Sequence, residues 1–310
     1  MTLFGLVALG LQLSIVLTVF TLGLEASWRD VRALLREPGQ WLRVTLAMNV
    51  IMPALAVLAI QFVFVDLRAP VKIALVALSA SPVPPLFPKR ASKIPRSAHH
   101  TVSIVAISCG VALLAIPVTL ELVALSLGRV ATQGAPSIIL QLFTRTLVPF
   151  AAAAAVQHWA PALARKLVRP IAIGAGVLLV LSLVPALIVM GKPMVALIGN
   201  GTLAAFTAFC AAGLLVGHLL GGPLESRRVL AMATACRHPG VAVAIAHATF
   251  PENRDVTPAI LAYLLVSQLV TLPYLRLTAR HAPSPAPKAT PTPLEMPGGG
   301  GRAAAAADPP

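Results

Sequence analysis

The sequence predicts an all-α membrane protein with nine transmembrane helices, two of which are broken near their middles. Three observations carry this prediction: the apolar composition, the distribution of lysine and arginine between the apolar runs, and prolines inside two of those runs. Of the 310 residues, 57% are hydrophobic and 11% are charged, and the mean hydropathy is +0.86. A soluble domain carries about 25% charged residues, so this chain has too few polar side chains to cover a water-exposed surface. A bilayer is therefore expected to be its solvent.

Nine apolar runs approach the length of about 20 residues that a membrane helix requires. They cover residues 3–24, 44–65, 73–88, 101–120, 136–156, 170–190, 194–220, 229–250 and 259–275. Beyond His281 the chain is dominated by proline, glycine and alanine. That composition predicts a disordered tail over 281–310, after a nine-helix transmembrane domain that occupies residues 1–280.

The basic residues lie in short clusters between the apolar runs, which is a topology signal rather than a nucleic-acid-binding stripe, although the net charge is +14. When alternate loops up to residue 280 are assigned to opposite sides, one side receives 15 lysines and arginines and the other receives 5. The positive-inside rule then places the N-terminus outside and the C-terminus in the cytoplasm. The Ala- and Arg-rich composition favours a bacterial plasma (inner) membrane, and no nucleic-acid partner is expected.

Two of the runs are interrupted at corresponding places. Run three contains Ser81-Pro82-Val83-Pro84-Pro85, and run eight contains Arg237-His238-Pro239-Gly240. Proline lacks an N–H and clashes with the preceding turn, so both helices are expected to break, near 81–85 and 237–240. Because the runs lie five apart, the two helices cross the bilayer in opposite directions. Paired breaks of this kind point to a substrate site in inverted-repeat transporters, although each proline could also be a kink without function.

The broken ends predict the charge of the substrate. Each break leaves free N–H groups and a positive dipole end near the middle of the membrane, and such ends attract anions. The sequence therefore favours a secondary transporter that moves a small organic anion by alternating access. We expect Pro82, Pro239 and Gly240 to shape the binding site.

Arg237 is the strongest individual candidate for binding. An arginine at mid-membrane costs about 2.5–3.5 kcal/mol on insertion scales and is functional by default. Its planar fork suits bidentate recognition of a carboxylate. The alternative is that it serves carbonyl groups freed at the break, and both roles are compatible.

His238 and Asn49 complete the candidates that the residues themselves suggest. A histidine titrates near physiological pH, so His238 can carry a proton or can serve as a neutral hydrogen-bonding group. Asn49 precedes Pro53 by one turn, so its side chain can serve carbonyls freed by that proline or can face the crossing point of the broken helices.

Four segments in order resemble the bile acid:sodium symporter family and, more distantly, the plant auxin efflux carriers. They are Thr21-Leu22-Gly23-Leu24-Glu25, the stretch from Ala47 to Pro53, the stretch from Ser81 to Pro85, and the stretch from Arg237 to Ala242. The resemblance covers about residues 10–280. It implies ten helices in two inverted repeats of five, arranged as a panel domain and a core domain in which two broken helices cross. This chain is one helix short of that number.

The resemblance also implies where the chain departs from the family. The family holds sodium with a glutamate, two amide side chains and a Ser-Asn pair. The glutamate position falls on Ala233, the amide pair near the second break falls on Arg237 and His238, and the Ser-Asn pair falls on Phe87 and Pro88. Two family positions keep their polar groups, a hydroxyl at Thr101 and an amide at Asn49. We therefore include Thr101 in the substrate site and expect no cofactor and no classical sodium coupling, with proton coupling through His238 as one possibility.

Two alternatives stay open on the sequence alone. One is a sensory or structural membrane module without transport, and the other is a sodium-coupled, bile-acid-like symporter with altered ion ligands. An intramembrane enzyme is not favoured, because no Asp or Glu lies within an apolar run and neither G-x-S-x-G nor H-E-x-x-H occurs. No metal-ligating set is predicted, since Cys109, Cys210 and Cys236 lie far apart without a C-x-x-C pair.

Overall fold

The computed structural model of the chain describes residues 3–25, 38–81, 111, 140, 143–253 and 255–280. The regular structure of these residues is helical. Its elements are α1 (Leu3–Glu25), α2 (Pro38–Val63), α3 (Ala69–Ala80), α4 (143–159), α5 (Pro161–Ala196), α6 (Thr202–Leu220), α7 (Leu224–Ala235), α8 (Pro239–Thr249) and α9 (Val256–Arg280). Helix α2 contains π-helical turns over Leu46–Ile51 and Ala59–Val63, and α4 begins with one over Phe143–Leu147.

The described helices are those of a multi-pass membrane protein. Four of them are long and apolar enough to cross a bilayer: α2, α5, α6 and the Val256–Thr278 part of α9. Gln12–Glu25 and α3 are shorter apolar helices. Helices α7 and α8 together occupy the expected eighth span, so the labels do not count spans. The expected span 101–120 lies outside the described residues apart from Val111, and the count of nine stays a prediction.

The described helices pack in two groups. Helix α1 lies against α4 and α5, and these three share a small apolar cluster centred on Leu24, Ala153 and Ala164. Within this group the buried Ser14 hydroxyl donates to the Ala175 carbonyl at 2.7 Å. The remaining helices, α2, α3 and α6 to α9, share one larger apolar core. The candidate site belongs to this second group.

Helices α6 and α7 lie antiparallel at very short range. Gly213 on α6 faces Ala235 on α7, and Gly217 faces Ala231; a Cβ on Gly217 would lie 2.5 Å from the Ala231 Cα. Small residues four apart let two membrane helices approach closely where no water drives them together. This contact fixes the end of α7, and hence the break that follows it.

Helix α5 corrects the predicted boundaries. The sequence placed a basic loop before a span at 170–190 and started the next span at Met194, whereas one helix of 36 residues covers Pro161–Ala196. The prolines inside α5 do not end it, since neighbouring groups can satisfy freed carbonyls in membrane helices. The chain turns instead at Gly199, Asn200 and Gly201, with φ of 145°, 46° and 79°. Left-handed backbone of this kind suits glycine and asparagine and cannot continue a right-handed helix.

Candidate anion site

The eighth span is broken over three residues. Helix α7 ends at Ala235, Cys236 and His238 have extended backbone with ψ of 119° and 103°, and α8 begins at Pro239. A proline at the first helical position loses no hydrogen bond, because that N–H has no partner inside a helix. Pro239 and Gly240 therefore start the second half-helix, and the break covers 236–238 rather than 237–240.

Helix α3 ends just before a stretch in which prolines provide no backbone N–H donors. Ser81 follows its last residue with extended backbone (ψ 144°), and the Ser81 hydroxyl donates to the Leu78 carbonyl at 2.8 Å. In a continuing helix the Ser81 carbonyl would accept from the residue three or four positions ahead. Those residues are Pro84 and Pro85, which have no N–H. The Ser81 carbonyl therefore needs a donor from elsewhere in the fold.

Arg237 supplies that donor. Its Nη1 donates to the Ser81 carbonyl at 3.1 Å and makes a longer contact of 3.5 Å with the Met48 carbonyl. The side chain is 2% exposed, so one guanidinium nitrogen ties the second break to the end of α3 and to the middle of α2. The expected role of serving freed carbonyls is thus present, on carbonyls from other helices.

The sequence explains why the Met48 carbonyl lacks a backbone donor within α2. In the π turn of α2 the Met52 N–H bonds to the Ala47 carbonyl, one residue earlier than in an α-helix. In the same register the donor to the Met48 carbonyl would be Pro53, which has no N–H. Arg237 takes the place of that missing donor.

The other two nitrogens of the Arg237 guanidinium take no part in these contacts. Within the described part of the chain, Nε and Nη2 have no hydrogen-bond partner although both atoms are buried. These two nitrogens form one edge of the planar guanidinium, the edge that binds the two oxygens of a carboxylate side by side. An unmet buried charged donor is costly, so this edge favours an anionic ligand.

His238 presents a further donor. Its Nδ1 accepts from the Val241 N–H at 3.2 Å and so caps α8. A neutral imidazole that accepts at Nδ1 carries its proton on Nε2. That Nε2 is buried and without a partner among the described residues. His238 is therefore a cap on one side and a free donor on the other.

Asn49 serves no freed carbonyl among the described residues. Its Nδ2 is buried and has no partner among the described residues, while Arg237 serves the neighbouring Met48 carbonyl. The first of the two roles expected for Asn49 is thus not observed. The unmet nitrogen atoms of Asn49, Arg237 and His238 are all donors, which is the composition of an anion site.

Tyr263 is a residue of the break that sequence reasoning missed. From the middle of α9 its hydroxyl donates to the carbonyl of Ala235, the last residue of α7, at 2.7 Å. The ring is fully buried and packs edge-on against Phe206 and Phe209, each with centroids 5.7 Å away. The available signal was the chain's two tyrosines, Tyr263 and Tyr274, which both lie inside the ninth apolar run, since the hydroxyl of a buried tyrosine needs a partner.

The break lies where the two helix groups meet. Gly240, in the first turn of α8, faces α1: a Cβ there would lie 3.0 Å from Ile15 Cδ1. Ala233, where the resemblance put an acidic ligand, is buried on α7 without a side-chain oxygen. Pro82 and Thr101 lie outside the described residues.

The comparison with known proteins identifies the family. The profile of the sodium bile acid symporter family matches residues 12–200, which is more than half of the chain. No curated protein matches the chain. The match ends before the second break, so the roles of Arg237 and His238 rest on the geometry of this chain. With an all-helical fold and a match of this extent, the chain belongs to the sodium bile acid symporter family, a family of membrane transporters.

Proposed function

We propose that this protein is a secondary transporter that moves a small organic anion by alternating access, and that the anion binds the free edge of Arg237. One observation carries the proposal: Nη1 of Arg237 is anchored on carbonyl groups, while Nε and Nη2 are buried without a partner among the described residues. The contact of Nη1 with the Ser81 carbonyl fixes the orientation of the guanidinium. The edge formed by Nε and Nη2 then fits a carboxylate or a sulfonate. The Nε2 of His238, the next residue, and the Nδ2 of Asn49, the residue after Met48, are further buried donors without a partner among the described residues.

The same atoms argue against sodium as the coupling ion. Sodium requires oxygen ligands, whereas the unmet groups of Arg237, His238 and Asn49 are nitrogen donors. The guanidinium therefore supplies the positive charge that a bound cation supplies elsewhere in the family. Transport is then uncoupled or uses protons through His238.

The two helix groups support the proposal of alternating access. The smaller apolar cluster lies in the first group, and the larger one lies mostly in the second but includes Leu22 of α1. Gly240, just after the break, lies next to Ile15 of α1. Movement of α1, α4 and α5 against the other helices would open the boundary between the groups to one side of the membrane at a time. We propose that the first group belongs to the panel domain and the second to the core domain that the family resemblance implies.

Uptake into liposomes tests the proposal. Radiolabelled carboxylates and sulfonates are screened with and without a sodium gradient, and each is competed with its uncharged amide analogue. We expect saturable uptake that ignores sodium, is not competed by the amide, and is lost in Arg237→Ala but kept in Arg276→Ala, an exposed arginine on α9. Uptake that requires sodium would favour the sodium-coupled alternative. Uptake that survives in Arg237→Ala would overturn the assigned site, and failure of every anion to enter would favour the sensory module.

A further inference from the structure

A second buried arginine, Arg228 on α7, lies about two turns before the break. Arg228 is 3% exposed, and its Nε and Nη2 atoms have no hydrogen-bond partner in the described part of the chain. It lies seven residues before the end of α7, about two turns from the Arg237 site. From Gly221 to Pro251 the sequence contains one acid, Glu225, against three arginines. Positive charge is therefore in excess here, and the described side chains supply no anion to this buried guanidinium edge.

Other donors and cations surround this arginine. Arg227 and Arg228 lie close enough to His218 and Tyr274 to act on both electrostatically. His218 and Tyr274 are themselves joined, with 2.9 Å between Nδ1 and the hydroxyl oxygen. The end of α6, the start of α7 and the later part of α9 therefore meet here.

A loop adds a third arginine to this group. Arg227 Nε donates to the Gly222 carbonyl at 3.2 Å, and the guanidinium of Arg43 lies directly against Gly222. Gly222 has φ of 72°, a conformation that suits glycine, and a Cβ at this position would collide with Arg43. Because Gly222 has no side chain, the guanidinium groups of Arg43 and Arg227 can both approach it.

The start of α7 contributes positive charge of its own. Its N-cap is Pro223, which offers no side-chain acceptor to the first turn. The positive end of the helix dipole then lies beside Arg227 and Arg228, and the single acid of the first turn, Glu225, offsets only part of this positive charge. A carboxylate offers two oxygens, whereas phosphate offers three or four and can bind the Arg228 edge, Arg227 and the helix end together.

We propose that Arg228, Arg227 and the start of α7, with Arg43 alongside, form a site for a phosphate group. The phosphate comes either from the headgroup of an anionic lipid or from a soluble phosphate. The site is separate from the transported anion at Arg237, and it does not depend on the transport function. Its occupancy would hold the ends of α2, α6, α7 and α9 together.

The test uses the full-length protein, purified and stripped of lipid in an uncharged detergent. Its thermal midpoint is followed while phosphatidylglycerol, inorganic phosphate or a neutral glycolipid is added, and retained lipid is counted by native mass spectrometry. We expect the midpoint to rise with a phosphate-bearing ligand and not with the glycolipid. Arg228→Gln should raise the ligand concentration at half-effect by about tenfold or more, since one charge-assisted contact is lost.

Matched variants separate this site from general surface charge. Arg276→Gln removes one positive charge from the exposed surface near the end of α9, and its response should equal that of the parent protein. Arg227→Gln provides a second probe if Arg228→Gln does not fold. A rise with phosphatidylglycerol alone assigns the site to lipid, and a rise with inorganic phosphate as well assigns it to soluble phosphate. No rise with either ligand, or equal losses in Arg227→Gln and Arg276→Gln, would overturn the proposal.

Discussion

The Nη1 atom of Arg237 lies 3.1 Å from the Ser81 carbonyl oxygen and joins residues that are 156 positions apart. One residue lies in the break of the eighth span, and the other lies at the point where α3 ends. A single guanidinium nitrogen therefore links the two interruptions. This hydrogen bond fixes the orientation of the Arg237 guanidinium, so a change at either residue should alter anion recognition.

Arg237→Lys should separate the charge of this residue from its geometry. A lysine keeps the positive charge but has no planar edge for two parallel hydrogen bonds. We expect anion uptake with a half-saturation concentration raised by about tenfold to a hundredfold, because a charge-assisted hydrogen bond contributes about 1.5–3 kcal/mol. Concentration-dependent uptake into liposomes measures this. An unchanged half-saturation concentration would show that charge alone binds the substrate.

Pro53→Ala should loosen the anchor of Arg237. The new N–H can donate to the Met48 carbonyl in the π register of α2, and it then competes with Arg237 Nη1. We expect an unchanged or higher thermal midpoint together with weaker anion binding. Pro185→Ala in α5 is the control, because it also removes a proline from inside a helix but lies in the other helix group. Equal effects of the two variants on anion binding would contradict the role given to Pro53.

Tyr263→Phe should destabilise the protein by about 1–3 kcal/mol, the cost of leaving a buried carbonyl without its donor. This carbonyl is that of Ala235, which accepts a hydrogen bond from the Tyr263 hydroxyl at 2.7 Å. Thermal unfolding in detergent measures the loss. Tyr274→Phe changes the chain's other tyrosine, whose partner His218 is only partly buried, and should cost less. A larger loss in Tyr274→Phe would be inconsistent with the importance of the Ala235 contact.

His238→Asn should test proton coupling without removing the cap of α8. Asparagine is a favourable N-cap residue, so it can replace the acceptor that His238 offers to the Val241 N–H, but it does not titrate. If protons pass through His238, an imposed pH gradient should stimulate uptake in the parent protein and not in this variant. His247→Asn changes an exposed histidine that bonds to Thr257 and should leave the stimulation intact. Stimulation that persists in His238→Asn would remove His238 from the proton path.

Gly217→Ala should weaken the contact between α6 and α7. The added Cβ would lie 2.5 Å from the Ala231 Cα, so the helices must separate. Gly174→Ala in α5 meets nothing within 4 Å and should be neutral or stabilising, because alanine favours a helix over glycine by about 1 kcal/mol. The difference between the two thermal midpoints is the measurement. Equal midpoints would mean that α6 and α7 can shift apart without cost.

Proline chemistry made part of this site predictable from the sequence. Pro82 and its neighbours predicted the end of α3, and the motif at Pro239 predicted an interruption of the eighth span, which the structure begins at Cys236. Both predictions follow from the missing backbone N–H of proline, which can be read from the local sequence. The contacts of Arg237 with Ser81 and Met48 were beyond sequence reasoning, because they depend on how distant helices pack. The same holds for Tyr263, whose partner on α7 is 28 residues away along the chain.

The length of α5 has a consequence for how the protein is held by the bilayer. At about 1.5 Å per residue its 36 residues extend about 54 Å, whereas the hydrocarbon layer is about 30 Å thick. The helix must therefore lean steeply or carry several turns beyond the acyl chains. Its first turns include Arg165, Lys166 and Arg169, whose charges belong among headgroups and water. Membrane thickness, as well as protein packing, would then set the depth and slope of α5, and with them the position of α1 and α4, which pack against it.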